Sequence, residues 1–213
     1  MYEAVFFDFG GVITESPFEA FSTYEIEKKI PLGLISSVNR RNPHQNAWAK
    51  FERAEITTEE FDLLFIQESR ELGHQVSGLE VLKLVFTPVR PEMLELLASL
   101  KGKYKLSCLT NNFPRSTTIT ELIGKQRFES WDGALSLFDN VVESAKIGTR
   151  KPQKEFYEYA CSVNSVSTRS VVFLDDIGMN LKSARELGIT TIKVTSGSQA
   201  IEDLRNILSR NSS

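Results

Sequence analysis

Cysteine is scarce in this chain: two in 213 residues, Cys108 and Cys161, far apart in the sequence. They form no metal-ligand spacing and no disulfide framework, and read as buried thiols in a reducing compartment. The two histidines, His44 and His74, read as surface residues. An excess of positive charge is also missing. Lys and Arg number 25 against 28 Asp and Glu, a formal charge of −3, which argues against a nucleic-acid partner. No apolar run approaches the ~20 residues of a membrane span. No basic region, apolar stretch and cleavage site come before the first strand. No repeat or low-complexity segment is present. These absences lead to the expectation of a soluble, cytoplasmic protein with neither membrane nor nucleic acid as partner. What remains is 41% hydrophobic and 25% charged, enough for a full core in one domain or one domain with an insertion.

The segment Ala4-Val5-Phe6-Phe7-Asp8-Phe9-Gly10-Gly11-Val12 carries the most information. An apolar run ends in a carboxylate and is followed by two glycines, the pattern of a strand buried on both faces and then a sharp turn. Asp8 is thereby placed at the carboxyl end of a central strand, where open α/β sheets bind ligands; alone, it could equally cap a helix. From about 16 to 88 the chain reads as helical, with a helix through Phe18, Phe21 and Ile26 that stops at Pro31. Another begins at a capping box from Thr57 to Glu60 and ends at Gly73. Trp48, Phe51, Phe61 and Phe65 read as the core of this piece.

Strands and helices then alternate. Pro91 to Gly102 is a helix, and Tyr104 to Leu109 a strand ending at Thr110-Asn111-Asn112. A variable stretch leads to a short strand at Phe138–Glu143. Pro152 opens a helix, Val171–Leu174 is a buried strand ending at Asp175-Asp176, Asn180–Gly188 a helix, Thr190–Val194 a strand, and Gln199–Leu208 the last helix. The tail, 210–213, is expected to fray. Alternation predicts an α/β fold: a doubly wound, mostly parallel, Rossmann-like sheet with helices on both faces. Residues 1–15 and 89–213 would form this core, and 16–88 an inserted helical cap over the carboxyl ends of the strands.

Those ends bring together a carboxylate (Asp8), a hydroxyl and an amide (Thr110, Asn111), a carboxylate pair (Asp175, Asp176) and, from the loop before Pro152, a cation (Lys151). A phosphoryl-transfer site needs each of these parts. An ionised carboxylate can attack phosphorus and form an acyl phosphate. Mg²⁺ would separate the two anions, held by Asp8, the Gly10 carbonyl and one of Asp175 or Asp176. Thr110 and Asn111 can donate to phosphate oxygens, and Lys151 adds a compact positive charge. Each has a plainer reading: Thr110-Asn111-Asn112 as a strand-to-loop turn, Lys151 as a solvated lysine, Asp175-Asp176 as helix caps, Glu143 as an exposed strand end.

Taken in order, these motifs resemble the haloacid dehalogenase superfamily of aspartate-nucleophile hydrolases. The first matches at Asp8, the second at Leu109-Thr110-Asn111, the third at Lys151-Pro152, and the fourth at Phe173-Leu174-Asp175-Asp176 with Asn180. Within that family, 141–152 and 171–188 look most like the phosphatase domain at the N-terminus of mammalian soluble epoxide hydrolase. The Asp-Phe-Gly-Gly-Val form of the first motif is similar to that of N-terminal domains of some acyl-CoA dehydrogenases. The resemblance implies a Mg²⁺-dependent phosphatase acting on a small phosphorylated molecule. It makes Asp8 the nucleophile, Asp8, the Gly10 carbonyl and Asp176 the metal ligands, and Thr110, Asn111 and Lys151 the phosphate grip. Asp175 would orient Lys151 or a metal-bound water, and Asn180 would support the loop.

One position departs. Phosphatases of this family carry a second Asp two residues after the nucleophile, as acid for the leaving oxygen and base for the attacking water. Here it is Gly10. General acid–base assistance is worth roughly 10²–10⁴-fold. Three readings follow: a phosphatase with a substitute from Glu15, His44, a cap residue or water; a domain that binds a phosphorylated ligand or regulates without turnover; or dehalogenation, which needs no proton for halide but which the Asp175-Asp176 pair disfavours.

Overall fold

The computed structural model describes residues 1–209; the expectation for the tail lies outside them. Five strands form one all-parallel sheet: β1 (Ala4–Phe7), β2 (Lys105–Thr110), β3 (Asn140–Glu143), β4 (Val171–Asp175) and β5 (Thr190–Lys193), in the order β3-β2-β1-β4-β5. The helices are α1 (Phe18–Glu27), α2 (Leu34–Arg40), α3 (Ala47–Glu52), α4 (Thr58–Arg70), α5 (Gly78–Val85), α6 (Pro91–Leu100), α7 (Thr117–Ile123), α8 (Lys125–Leu135), α9 (Ser144–Ile147), α10 (Lys154–Val163), α11 (Gly178–Glu186) and α12 (Gly197–Ser209).

Strand β1 lies at the centre, and alternate residues feed two cores. Val5 and Phe7 pack with Met93, Leu97, Leu106 and Leu204 on one face. Ala4 and Phe6 pack with Phe156, Tyr157, Phe173 and Ala184 on the other. Burial on both faces is why these strands read as continuous apolar runs rather than alternating ones. Each fully buried Phe contributes about 1.5–3 kcal/mol. The sheet's polar ends are therefore held on a rigid, dry platform.

The chain leaves the sheet at Thr14 and returns at Val89, where the two pair as an isolated antiparallel bridge. The amides of Glu15 and Arg90 bond the carbonyls of Pro88 and Ile13, each at 2.9 Å. Between these crossings lie α1–α5, around a core that includes Phe21, Ile35, Phe51, Phe61, Phe65 and Phe86. The Thr57–Glu60 capping box forms at the start of α4. Helix α1 stops at Glu27, short of Pro31. The buried Glu25 carboxylate accepts the amides of Gly33 (2.6 Å) and Ile35 (2.9 Å), folding the chain back to start α2. A second segment joins this layer. The stretch after β2 that has no strand pattern holds α7 and α8, whose Ile119, Phe128 and Trp131 pack against the same cluster. Among the described residues, no helix is long and apolar enough to cross a membrane.

Candidate active site

Asp8 follows β1 directly, and its amide still donates to the Leu174 carbonyl at 2.8 Å, so the position is fixed by the ladder. Its Oδ1 accepts the Phe9 amide at 2.6 Å, which is the capping role seen as the plainer alternative. It does a second job as well: Lys151 Nζ lies 2.7 Å from the same oxygen. Lys151 is 1% exposed and sits 2.9 Å from Asp175 Oδ2. This lysine is no solvated loop residue; it is buried between two carboxylates. Asp175, fully buried at the end of β4, accepts the Ile177 amide at 2.6 Å and both of its oxygens accept from Asn180 Nδ2. It thus caps the turn into α11 and orients Lys151 at once. Asn180 is held in turn through its carbonyl, which accepts the Tyr157 hydroxyl at 2.9 Å.

Carboxylate oxygens of Asp8, Asp175 and Asp176 lie within 4.8 Å of one another. Burial pushes the Asp8 carboxyl well above the ordinary range, with Asp175 and Asp176 adding to the effect and Lys151 opposing it. Burial also works against the Lys151 charge, but Asp175 and Asp8 outweigh it and hold the ammonium protonated. Asp176 is pushed up to about 6, first by burial and then by Asp175. Three carboxyl groups thus crowd around one ammonium, a cluster rich in oxygen donors. A hard divalent cation, which prefers oxygen ligands, fits this donor set.

The two glycines after Asp8 have different jobs. Gly11 has φ +75°, and a Cβ built on it would lie 2.2 Å from Asp176 Oδ2. Only the absence of a side chain lets the fourth motif close against the first. The Gly11→Ala substitution is therefore expected to destabilise the fold by about 1–2 kcal/mol from backbone strain alone. It should also displace Asp176 and weaken divalent-cation binding. Urea unfolding and calorimetric titration with Mg²⁺ would check this, and wild-type values in both would refute it. Gly10 is different: φ is −67° and ψ 132°, and nothing lies within 4 Å of a built Cβ.

Asn111 does something the sequence pattern did not indicate. Its Nδ2 donates to the Lys151 carbonyl at 3.0 Å, and its Oδ1 accepts the Lys151 amide at 2.9 Å. This reciprocal pair fixes the loop that carries the lysine. Thr110 ends β2 beside it, and both line a cavity of about 100 Å³ that also includes Gly10. Glu143 is not a free strand end, since it accepts from Asn112 Nδ2 at 2.7 Å and pairs with Lys146. Glu15 and His44 are exposed. Cys108 and Cys161 are free and buried, and burial raises both thiols.

Sequence reasoning missed two groups. The loop before Lys151 is clamped to the helical layer by Arg150, whose Nε lies 2.5 Å from Glu52 Oε2 and whose Nη1 donates to the Pro43 carbonyl at 3.0 Å. No local pattern announces a bridge between positions 52 and 150. The cavity wall supplied by α8 was also missed, although Phe128, Trp131 and Leu135 recur at helical spacing.

A parallel sheet presenting a carboxylate, a buried lysine and a carboxylate pair at its carboxyl edge marks a hydrolase of the doubly wound α/β class. The chain belongs to the haloacid dehalogenase-like hydrolase family, whose model matches residues 2–188. Among its relatives is mouse acyl-CoA dehydrogenase family member 10, 31% identical over 97% of this chain but 19% of that protein. Rat bifunctional epoxide hydrolase 2 is 32% identical over 54% of this chain and 20% of that protein. The chain thus spans about a fifth of the length of either. Sesquiterpene phosphatase astK of Aspergillus oryzae is 26% identical, with 97% of each chain covered. A family enzyme from Bacteroides thetaiotaomicron, solved with magnesium and inorganic phosphate, shares the fold with a TM-score of 0.59 and 20% identity, over 92% of this chain and 96% of that one.

Proposed function

We propose that the chain is a phosphatase that hydrolyses a small phosphomonoester by transferring its phosphoryl group to Asp8. The observation that carries this reading is the convergence of Asp8, Lys151, Asp175 and Asp176 at one sheet edge. The phosphatase relatives support it. Asp8 is the nucleophile because it is the carboxylate fixed by the central strand, directly before Phe9 and Gly10, which line the cavity. Lys151 balances charge on Asp8 and on the phosphoryl oxygens, and stays protonated throughout. Asp175, braced by Asn180 and the Ile177 amide, holds the lysine in place. Thr110 donates to phosphate from the neighbouring strand. Asn111 acts first by fixing Lys151, and the second proton of its amide remains for the ligand. Asp8, Asp176 and the Gly10 carbonyl would hold Mg²⁺, which when bound supplies charge neutralisation between carboxylate and phosphate.

Asp8→Asn keeps the shape and removes the nucleophile. Turnover of any phosphomonoester should fall to background, and labelled phosphate should no longer be transferred to the protein. Retained activity in a folded Asp8→Asn variant would refute the assignment. Gly10 favours a second reading, in which the domain binds a phosphorylated ligand or regulates without turnover. That reading requires saturable binding of a phosphomonoester with no hydrolysis above background.

A further inference from the structure

The cavity beside Gly10, Thr110 and Asn111 is walled mainly by apolar groups, among them Phe9, Phe86, Phe113, Ile119, Phe128 and Trp131. Asn112 and Glu143 also line it, but they bond each other, and Glu143 pairs with Lys146 as well. The rings form a continuous series. Phe86 stacks on Trp131 at 4.4 Å between centroids, Trp131 meets Phe9 edge-on at 4.9 Å, and Phe86 packs on Phe113 at 5.7 Å. Arg115, which also lines the cavity, is taken by Asp132 through both terminal guanidinium nitrogens. A polyol leaving group would bury hydroxyls against the aromatic side of this wall without partners, at a cost of roughly 1–3 kcal/mol each. The volume, about 100 Å³, is smaller than the ~150 Å³ engineered cavity that binds benzene. A single small ring, admitted as the packed Phe86 and Trp131 rings move apart, is therefore the upper limit of the group it takes.

A separate observation concerns the leaving oxygen. At position 10 there is no side chain to protonate it. An alkoxide cannot leave readily without that proton. A phenolate can, since a phenol such as the tyrosine side chain ionises near pH ~10. From the aromatic wall and the missing acid together we propose that the substrate is an aryl phosphomonoester, its ring seated among Phe9, Phe86, Phe113 and Trp131. This rests on the phosphatase reading above. Asp8 attacks phosphorus, the bond from phosphorus to the aryl oxygen breaks, and the electron pair leaves with the phenolate, which takes a proton from water after release. Water then attacks phosphorus, restoring the Asp8 carboxylate, releasing inorganic phosphate and giving its surplus proton to solvent. Because Gly10 also offers no base, this second step is slow.

The wild-type protein with Mg²⁺ tests this on phenyl phosphate, cyclohexyl phosphate and glycerol 3-phosphate. Phenyl and cyclohexyl rings are similar in size and apolarity but differ in leaving-group acidity. The expected kcat/KM for phenyl phosphate exceeds that for cyclohexyl phosphate by ~10²-fold or more, with glycerol 3-phosphate lowest. Phenol should appear in a burst of about one equivalent ahead of phosphate. If cyclohexyl or glycerol phosphate is cleaved as well as phenyl phosphate, the aryl assignment falls while the phosphatase reading stands. If no ester is cleaved and phenyl phosphate leaves no phosphate on Asp8, both fall.

Discussion

Replacing Lys151 by methionine lowers the stability of the metal-free protein at pH 8 by about 3–5 kcal/mol. The ammonium is 1% exposed and lies within 3 Å of two carboxylates that are themselves 8% and 0% exposed. Methionine matches the length but leaves both anions facing each other out of water. Arginine is no conservative alternative, because a planar fork does not fit the volume of a compact ammonium. In the wild type the Lys151 pKa is raised above its unfolded value. Its stabilisation is therefore complete below about pH 10.5 and is lost only as pH rises through the folded value. In the variant Asp8, whose pKa burial already raises, can escape by taking a proton, so its deficit should shrink as pH falls toward 5. Urea unfolding in chelator at pH 8 and pH 5 measures both effects. Phosphoryl transfer should be lost at either pH. A deficit below about 1 kcal/mol at pH 8 would mean that Asp8 is already neutral and is not held as a nucleophile.

The same pair shows what was legible in the sequence. The strand ends could be read because a buried parallel strand writes its own signature, an apolar run stopped by polar residues, and β1, β2 and β4 all do so. Parallel order then forces Asp8, Thr110 and Asp175 to one edge without further information. Lys151 had no such signature. Nothing local distinguishes a loop lysine that is solvated from one buried against Asp8, and only the other motifs singled it out. The bracing role of the Asn111 amide could not be read, because its partner, the Lys151 backbone, lies 40 positions away. The stop of α1 failed for a similar reason: the buried Glu25 carboxylate, rather than Pro31, turns the chain. The Arg150–Glu52 bridge and the aromatic wall from α8 are products of packing between distant segments. Periodicity could have found the helix, but not what it faces.

Substituting Asp for Gly10 should raise turnover of alkyl phosphates by roughly 10²–10⁴-fold. The backbone there is in a region open to any residue, and nothing lies within 4 Å of the new Cβ. The substitution therefore introduces neither clash nor strain, and restricting the unfolded chain favours the folded state slightly. Gly10 lines the cavity beside Thr110 and Asn111, so a carboxyl group at this position can reach the leaving oxygen. Two effects follow with distinct signatures. As an acid, the new group raises kcat/KM for cyclohexyl phosphate far more than for phenyl phosphate, so the ratio between them collapses. As a base, it speeds water attack on phosphorylated Asp8, so the phenol burst disappears and kcat rises for both. Gly10→Asn is the control: it has the same shape and no transferable proton, and should change neither ratio nor burst. An Asp variant no faster than the Asn variant would show that another group already serves the leaving oxygen. The bare glycine would then have no part in choosing the substrate.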